Sequence, residues 1–252
     1  MLRHRIIPSL LIQEEGLVKT TKFRKPKYVG DPINAIRIFN EKEVDELLVV
    51  DILASKQNRE PNFALIEKFA EECFMPVTYG GGIKSVEQAK TILSLGVEKI
   101  CIQSASFNQS HLISELASNF GSQAVLISVD VKRNWLNRYV LYDAHLEKTL
   151  KVPDWMTHIK KQIKLGAGEV LLNSVDKDGT LSGPDLNLIE AASNEIDVPL
   201  ISLGGVGSLE DIRNAINAGA SAVAAGSFFV FHGPHRAVLI SYPGPADLEA
   251  IF

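Results

Sequence analysis

With 252 residues, 22% of them charged, and a formal net charge of −4, the chain is long enough to bury a substantial core in one large domain. That charge balance excludes a fold that binds nucleic acid over its whole surface, and no apolar run approaches the length of a membrane span. Cys73 and Cys101 lie in apolar surroundings without CxxC spacing, which predicts buried, reduced thiols in a cytoplasmic protein.

Taken in chain order, residues 1–12 loosely mimic a secretory signal. The apolar run is short, is broken by Pro8 and lacks a small-residue cleavage site, so a buried first strand over Arg5–Ile12 is the better reading. A basic loop follows. In it Lys19 is the candidate to reach over a site, while Lys22, Arg24, Lys25 and Lys27 read equally well as solvated. Short apolar runs then predict strands at Glu46–Asp51, Val77–Tyr79, Lys99–Gln103, Ala124–Val131, Glu169–Ser174, Leu200–Leu203 and Ala222–Gly226. Most lack polar alternation, as parallel strands covered on both faces do. Helices are predicted between them, among them Pro61–Cys73, Ser85–Leu95, Asp185–Asn194 and Ser208–Ala218. Ser85 and Ser208 read as N-caps, with Gln88 completing a capping box that Asp211 only approximates. Gly96 and Gly219 stand where helices end.

The second half of the chain repeats the first at a constant offset of 123 residues. Gly81-Gly82 corresponds to Gly204-Gly205, Ser104 to Ser227, Glu46 to Glu169 and Pro61 to Pro184. Eight strand–helix units in two matched halves predict a single α/β domain over 1–252, a (β/α)8 TIM barrel of two half-barrels. A doubly wound open sheet is the alternative, weakened because no GxGxxG follows the first strand.

In such a barrel chemistry sits at the C-terminal strand ends. Gly80-Gly81-Gly82 follows strand 3 and Gly204-Gly205 follows strand 7, while Ser104 and Ser227 follow strands 4 and 8. Glycine lets the backbone approach a phosphate and the next helix offers free N–H groups, so two matched anion sites for a doubly charged ligand are predicted. Asp51, Asp130 and Asp176-Lys-Asp178-Gly179 lie at the same end. Asp130 sits within an apolar strand, Ile127-Ser-Val-Asp-Val131, where an unpaired carboxylate is costly and a functional acid is the better reading. Arg5, Glu46, Lys99 and Glu169 each open a strand, at the opposite face, where they form either a salt-bridge ring or a solvated rim.

The motifs Arg5-Ile-Ile-Pro8, Gly16-Leu-Val-Lys19, Asp51-Ile-Leu-Ala-Ser55, Gly80-Gly-Gly-Ile83, Phe120-Gly-Ser-Gln-Ala124, Asp176-Lys-Asp-Gly-Thr180 and Gly204-Gly205 resemble the cyclase subunit of imidazole glycerol phosphate synthase. The resemblance runs from residue 3 to about residue 231. It implies a barrel that takes ammonia from a glutaminase docked on its bottom and acts on a bis-phosphate ribotide, with no cofactor or metal. It implies that Gly82 and Ser104 hold one phosphate, that Gly205, Gly226 and Ser227 hold the other near Asp178-Gly179, and that Lys19 closes over the ligand. It makes Asp130 one of two catalytic aspartates and Arg5, Glu46, Lys99 and Glu169 an ammonia gate.

The chain also departs from the family. Leu11 stands where the second aspartate belongs, Ser9 replaces a cysteine and Gln103 an asparagine. Leucine transfers no proton, and losing one of two acids forfeits about 10²–10⁴-fold in rate. Glu14 or Glu15 is the only nearby substitute. The sister isomerase also needs two aspartates, so Leu11 argues against that activity as well. After strand 8, Pro234 and the β-rich run Ala237–Tyr242 disfavour the family's last helix, leaving an atypical segment over 232–252. These departures resemble a divergent branch associated with acetamidino groups on bacterial surface sugars, where a glutaminase and a separate sugar amidotransferase complete the system. His232, His235 and Arg236 either meet an anionic sugar or partner, or stabilise the tail. A cyclase-type subunit serving sugar amidation is therefore expected. A working histidine cyclase and a non-catalytic ammonia-channelling scaffold are the alternatives.

Overall fold

The computed structural model describes residues 4–150 and 153–251; residues 1–3, 151–152 and 252 of the expected domain, including the start of the signal-like segment, lie outside them. Among the described residues, eight parallel strands close into a barrel: β1 (Arg5–Gln13), β2 (Leu47–Asp51), β3 (Val77–Gly80), β4 (Lys99–Ile102), β5 (Val125–Arg133), β6 (Glu169–Ser174), β7 (Leu200–Leu203) and β8 (Ala222–Ala225). β8 pairs with β1, and β5 with β6, so no edge is left open. The (β/α)8 architecture is as expected. Among the described residues no helix is long and apolar enough to cross a membrane.

The period-two alternation of each strand decides what lies inside. Outward residues such as Ile6, Leu10, Ile12, Leu47 and Val49 pack against the helices in the main core. Inward residues form a second apolar cluster, Ile7, Leu48, Cys101, Leu126, Leu171, Ile201, Ala222 and Ala224. Along β1 the inward positions read Arg5, Ile7, Ser9 and Leu11. The inward-facing line therefore passes from charged, through apolar, to the cavity described below.

The repeat is visible in local geometry. Ser85 and Ser208 each accept an N–H three residues on at 3.2 Å, a cap worth about 1 kcal/mol. The expected difference between Gln88 and Asp211 is not found. Neither completes a box on the cap's own N–H: both side chains reach back one residue further, to the N–H of Lys84 at 2.8 Å and of Gly207 at 2.9 Å. The helices run over Phe63–Glu72, Val86–Ser94, Leu186–Ser193 and Leu209–Asn217, within two residues of expectation.

Two expectations need correction. The basic segment after β1 is a hairpin, Gly16–Thr21 paired with Arg24–Gly30, rather than a loop. A second hairpin follows β5, with Tyr139–Asp143 paired to both β5 and Lys148–Leu150. Cys101 is buried inside the barrel, but Cys73 is only half-buried.

Among the described residues the carboxy-terminal segment makes no long helix. Phe231–His232 pairs with Ala237–Val238, and an extended run then descends the barrel wall to a short helix, Pro245–Glu249. Leu239 and Ser241 donate to Val230 and Phe229, and the Tyr242 hydroxyl donates to Ile6 O at 3.0 Å.

Candidate functional site

At the C-terminal end of the strands lies a cavity of about 200 Å³. Gly81, Gly82, Ser104 and Asp51 line one side, and Gly204, Gly205, Gly226, Ser227 and Gly179 the other, with Asp130, Lys19 and Asp178 between them. All twelve residues expected at this end are thus brought together. The floor is made by Leu48, Cys101 and Leu171, the upper members of the apolar barrel filling.

The two glycine loops match. Gly81 and Gly82 have φ of +118° and +76°, Gly204 and Gly205 of +104° and +99°, all in territory that side chains avoid. A Cβ on Gly81 would lie 2.5 Å from Asp51 O, and one on Gly204 2.8 Å from Ser174 O. Each loop is pressed against the preceding strand end, where only glycine fits.

Asp130, at 4% exposure, accepts from Gln103 Nε2 at 2.7 Å. Burial pushes its carboxyl up to about 8. A hydrogen bond from Asn173 opposes this, and the charges of Asp178 and Asp143 add to it. The group is therefore largely a neutral acid near pH 7, able to donate a proton. Beside it on β6, Asn173 is buried and its Oδ1 has no protein donor, so it offers an acceptor to whatever enters. Leu11 lines the same cavity and presents only hydrocarbon. Glu14 and Glu15 do not stand in for an acid there, since they form the exposed turn of the first hairpin.

Lys19 is also 4% exposed, and its ammonium donates to Ser9 O. Burial lowers it to about 8, against the support of Asp178. Asp178 in turn holds the hairpin tip: Thr20 Oγ1 donates to it at 2.9 Å and Phe23 N at 3.1 Å. Burial raises its carboxyl, and these bonds pull the other way. Asp51 is similarly occupied, accepting from Leu53 N at 2.9 Å and Ala54 N at 3.0 Å, with Arg59 at 3.3 Å. It shapes its loop as well as lining the cavity. Lys22, Arg24, Lys25 and Lys27 are exposed, as are His232 and His235.

At the other end of the barrel Arg5, Glu46, Lys99 and Glu169 form a closed ring of alternating charge. Arg5 meets Glu46 at 2.6 Å and Glu169 at 2.7 Å, and Lys99 meets Glu46 at 3.2 Å and Glu169 at 3.0 Å. The ring, one of the two arrangements left open by the sequence, rests on Thr78, whose hydroxyl donates to Glu46 at 2.7 Å. Thr78 and Asn173 escape sequence reasoning, and only their inward phase on their strands signals them; Arg236, singled out with the tail, donates to Gly179 O at 2.8 Å.

Comparison with known proteins follows the same lines. The family model described as histidine biosynthesis protein matches residues 5–235. A protein of Leptospira borgpetersenii, provisionally named imidazole glycerol phosphate synthase subunit HisF, is 51% identical over 100% of both chains. One from Pseudomonas aeruginosa, provisionally named subunit hisF2, is 50% identical over 99% of each. The imidazole glycerol phosphate synthase subunit HisF of Dictyoglomus thermophilum is 39% identical, over 92% of this chain and 91% of its own.

Proposed function

The chain belongs to the histidine biosynthesis protein family as a HisF-like, cyclase-type subunit, and from that footing we propose that it receives ammonia from a glutaminase and supports amidation, with acetamidino formation, on a bacterial surface sugar. The observation that carries this reading is the coexistence of a cavity lined by two matched glycine loops, and of a closed charged ring, with Leu11 in the cavity wall.

Neutral ammonia released at the ring crosses an apolar interior at little cost, whereas ammonium would have to shed its hydration. It reaches a cavity whose glycine loops and Lys19 suit a ligand anionic at both ends. Asn173 Oδ1 accepts an N–H there, and Asp130, neutral near pH 7, supplies a proton to a developing anion. The ring-closing chemistry of the histidine enzyme calls for a second acid where Leu11 stands. A cytoplasmic location, a glutaminase on the barrel bottom and a separate sugar amidotransferase belong to this proposal.

The test sets the purified chain beside its Leu11→Asp variant, with an ammonium salt and the bis-phosphate ribotide of histidine synthesis. No turnover by the unaltered chain and turnover by the variant are expected. Turnover by the unaltered chain makes it a histidine cyclase and overturns the proposal. In the reconstituted sugar system, labelled amide nitrogen from glutamine should reach the sugar only when this chain is present.

A further inference from the structure

The carboxy-terminal hairpin grips the active end of the barrel at two points. Arg236 closes its turn with φ of +50°, a left-handed conformation that is costly for a residue bearing a Cβ. That turn brings the guanidinium to the main-chain oxygen of Gly179, where Nη2 donates at 2.8 Å. The same guanidinium lies 5.8 Å from the centroid of the Phe231 ring, and Lys27 Nζ lies 5.1 Å from that centroid. Lys27 belongs to the hairpin that carries Lys19. Gly179 follows Asp178, which bonds the tip of that hairpin through Thr20, Phe23 and the N–H of Lys22 at 2.9 Å. The tail thus touches both partners of one junction, the barrel loop and the hairpin docked on it.

We propose that Arg236 is a positioning residue: it holds the Asp178-Gly179 loop, and through it the Lys19 hairpin, closed over the Gly226 side of the cavity. Arginine suits this place because one guanidinium can donate to a carbonyl and still lie over an aromatic ring; lysine's ammonium is a compact point charge with a single reach. The proposal concerns closure and holds whatever reaction the cavity serves.

The test is amide hydrogen exchange, resolved by residue, on the full chain and its Arg236→Ala and Arg236→Lys variants. In Arg236→Ala the Lys22 and Phe23 amides should exchange about ten-fold faster, the scale expected on losing one charge-assisted bond. The Leu239 and Ser241 amides, which tie the tail to the barrel wall, should keep their protection, and Arg236→Lys should recover part of the loss. Unchanged exchange at Lys22 and Phe23 overturns the proposal. Equal loss at Leu239 and Ser241 overturns it too, because Arg236 then only fastens the tail. Inorganic phosphate should slow exchange at Lys22 and Phe23 in the unaltered chain, and several-fold more should be needed in Arg236→Ala. Phosphate without effect on the unaltered chain counts against the anion site, and the difference between variants still decides the role of Arg236.

Discussion

The ammonium group of Lys19 donates to Ser9 O and lies where a Cβ added to Gly226 would meet it at 2.7 Å. A buried cation is thus held against a glycine at the head of the last strand–helix turn, where a Cβ could enter only by displacing the ammonium. Gly226→Ala should displace the flexible end of Lys19 and cost little stability. Inorganic phosphate affinity, followed by calorimetry, should fall about ten-fold, in line with the loss of one charged contact. Gly81→Ala should behave differently. Its Cβ would meet Asp51 backbone at 2.5 Å with φ of +118°, so unfolding in urea should show a loss of roughly 1–3 kcal/mol.

Lys19 also sets a pH limit. Burial lowers its pKa to about 8, so the ammonium is charged at pH 7 and discharges as pH rises past 8. Phosphate binding should weaken over that range and Lys19→Met should abolish the dependence. The sign for stability is opposite. The folded state binds the Lys19 proton less tightly than the unfolded chain, so this group's contribution to stability rises between about 8 and the ordinary lysine value of about 10.4. Binding that persists unchanged to pH 9.5 (roughly 1.5 units above that point) would show that Lys19 does not hold the anion.

Asp130 gives the reverse slope. Its folded pKa is raised to about 8 by burial, whereas an unfolded aspartate titrates near 3.9. Between these values the folded chain keeps a proton that the unfolded chain has lost, so its contribution to stability is full below about pH 4 and is lost as pH climbs to about 8. Asp130→Asn should flatten this slope and stabilise the protein at pH 8 by about 2 kcal/mol or more. It should also remove any proton transfer at the cavity. Urea midpoints across this pH range check it, and a variant as pH-sensitive as the original would refute the assignment.

Glu46 is the buried member of the charged ring, meeting Arg5, Lys99 and Thr78. Glu46→Gln removes the charge that compensates two cations and should cost about 2–4 kcal/mol. A double-mutant cycle with Lys99→Met should recover part of this, because the uncompensated ammonium is then removed as well. Strict additivity of the two losses would mean that the ring is not coupled.

Much of this molecule is legible along the chain. The repeat at constant offset and the apolar runs specify the closed barrel, since eight short buried strands have few other ways to satisfy their backbone. The glycine pairs and their serines were legible because positive φ and close backbone approach call for glycine locally. Residues 16–30 were harder. The exposed run Arg24-Lys-Pro-Lys27 carries no strand pattern, and becomes a strand only because the Gly16–Thr21 strand pairs with it.

Sequence alone also determined that Leu11 and Asp130 sit at strand ends and that Arg5, Glu46, Lys99 and Glu169 sit at strand starts, because position within a parallel strand sets the end of the barrel a residue occupies. Tertiary structure alone decided that these four charges close into a ring rather than a solvated rim and that Asn173 keeps a buried oxygen free. It alone decided that Arg236 reaches Gly179, 57 residues away. These are contacts between side chains and backbone on separate strands and loops. Their distances come from barrel curvature and packing, which local propensity does not encode.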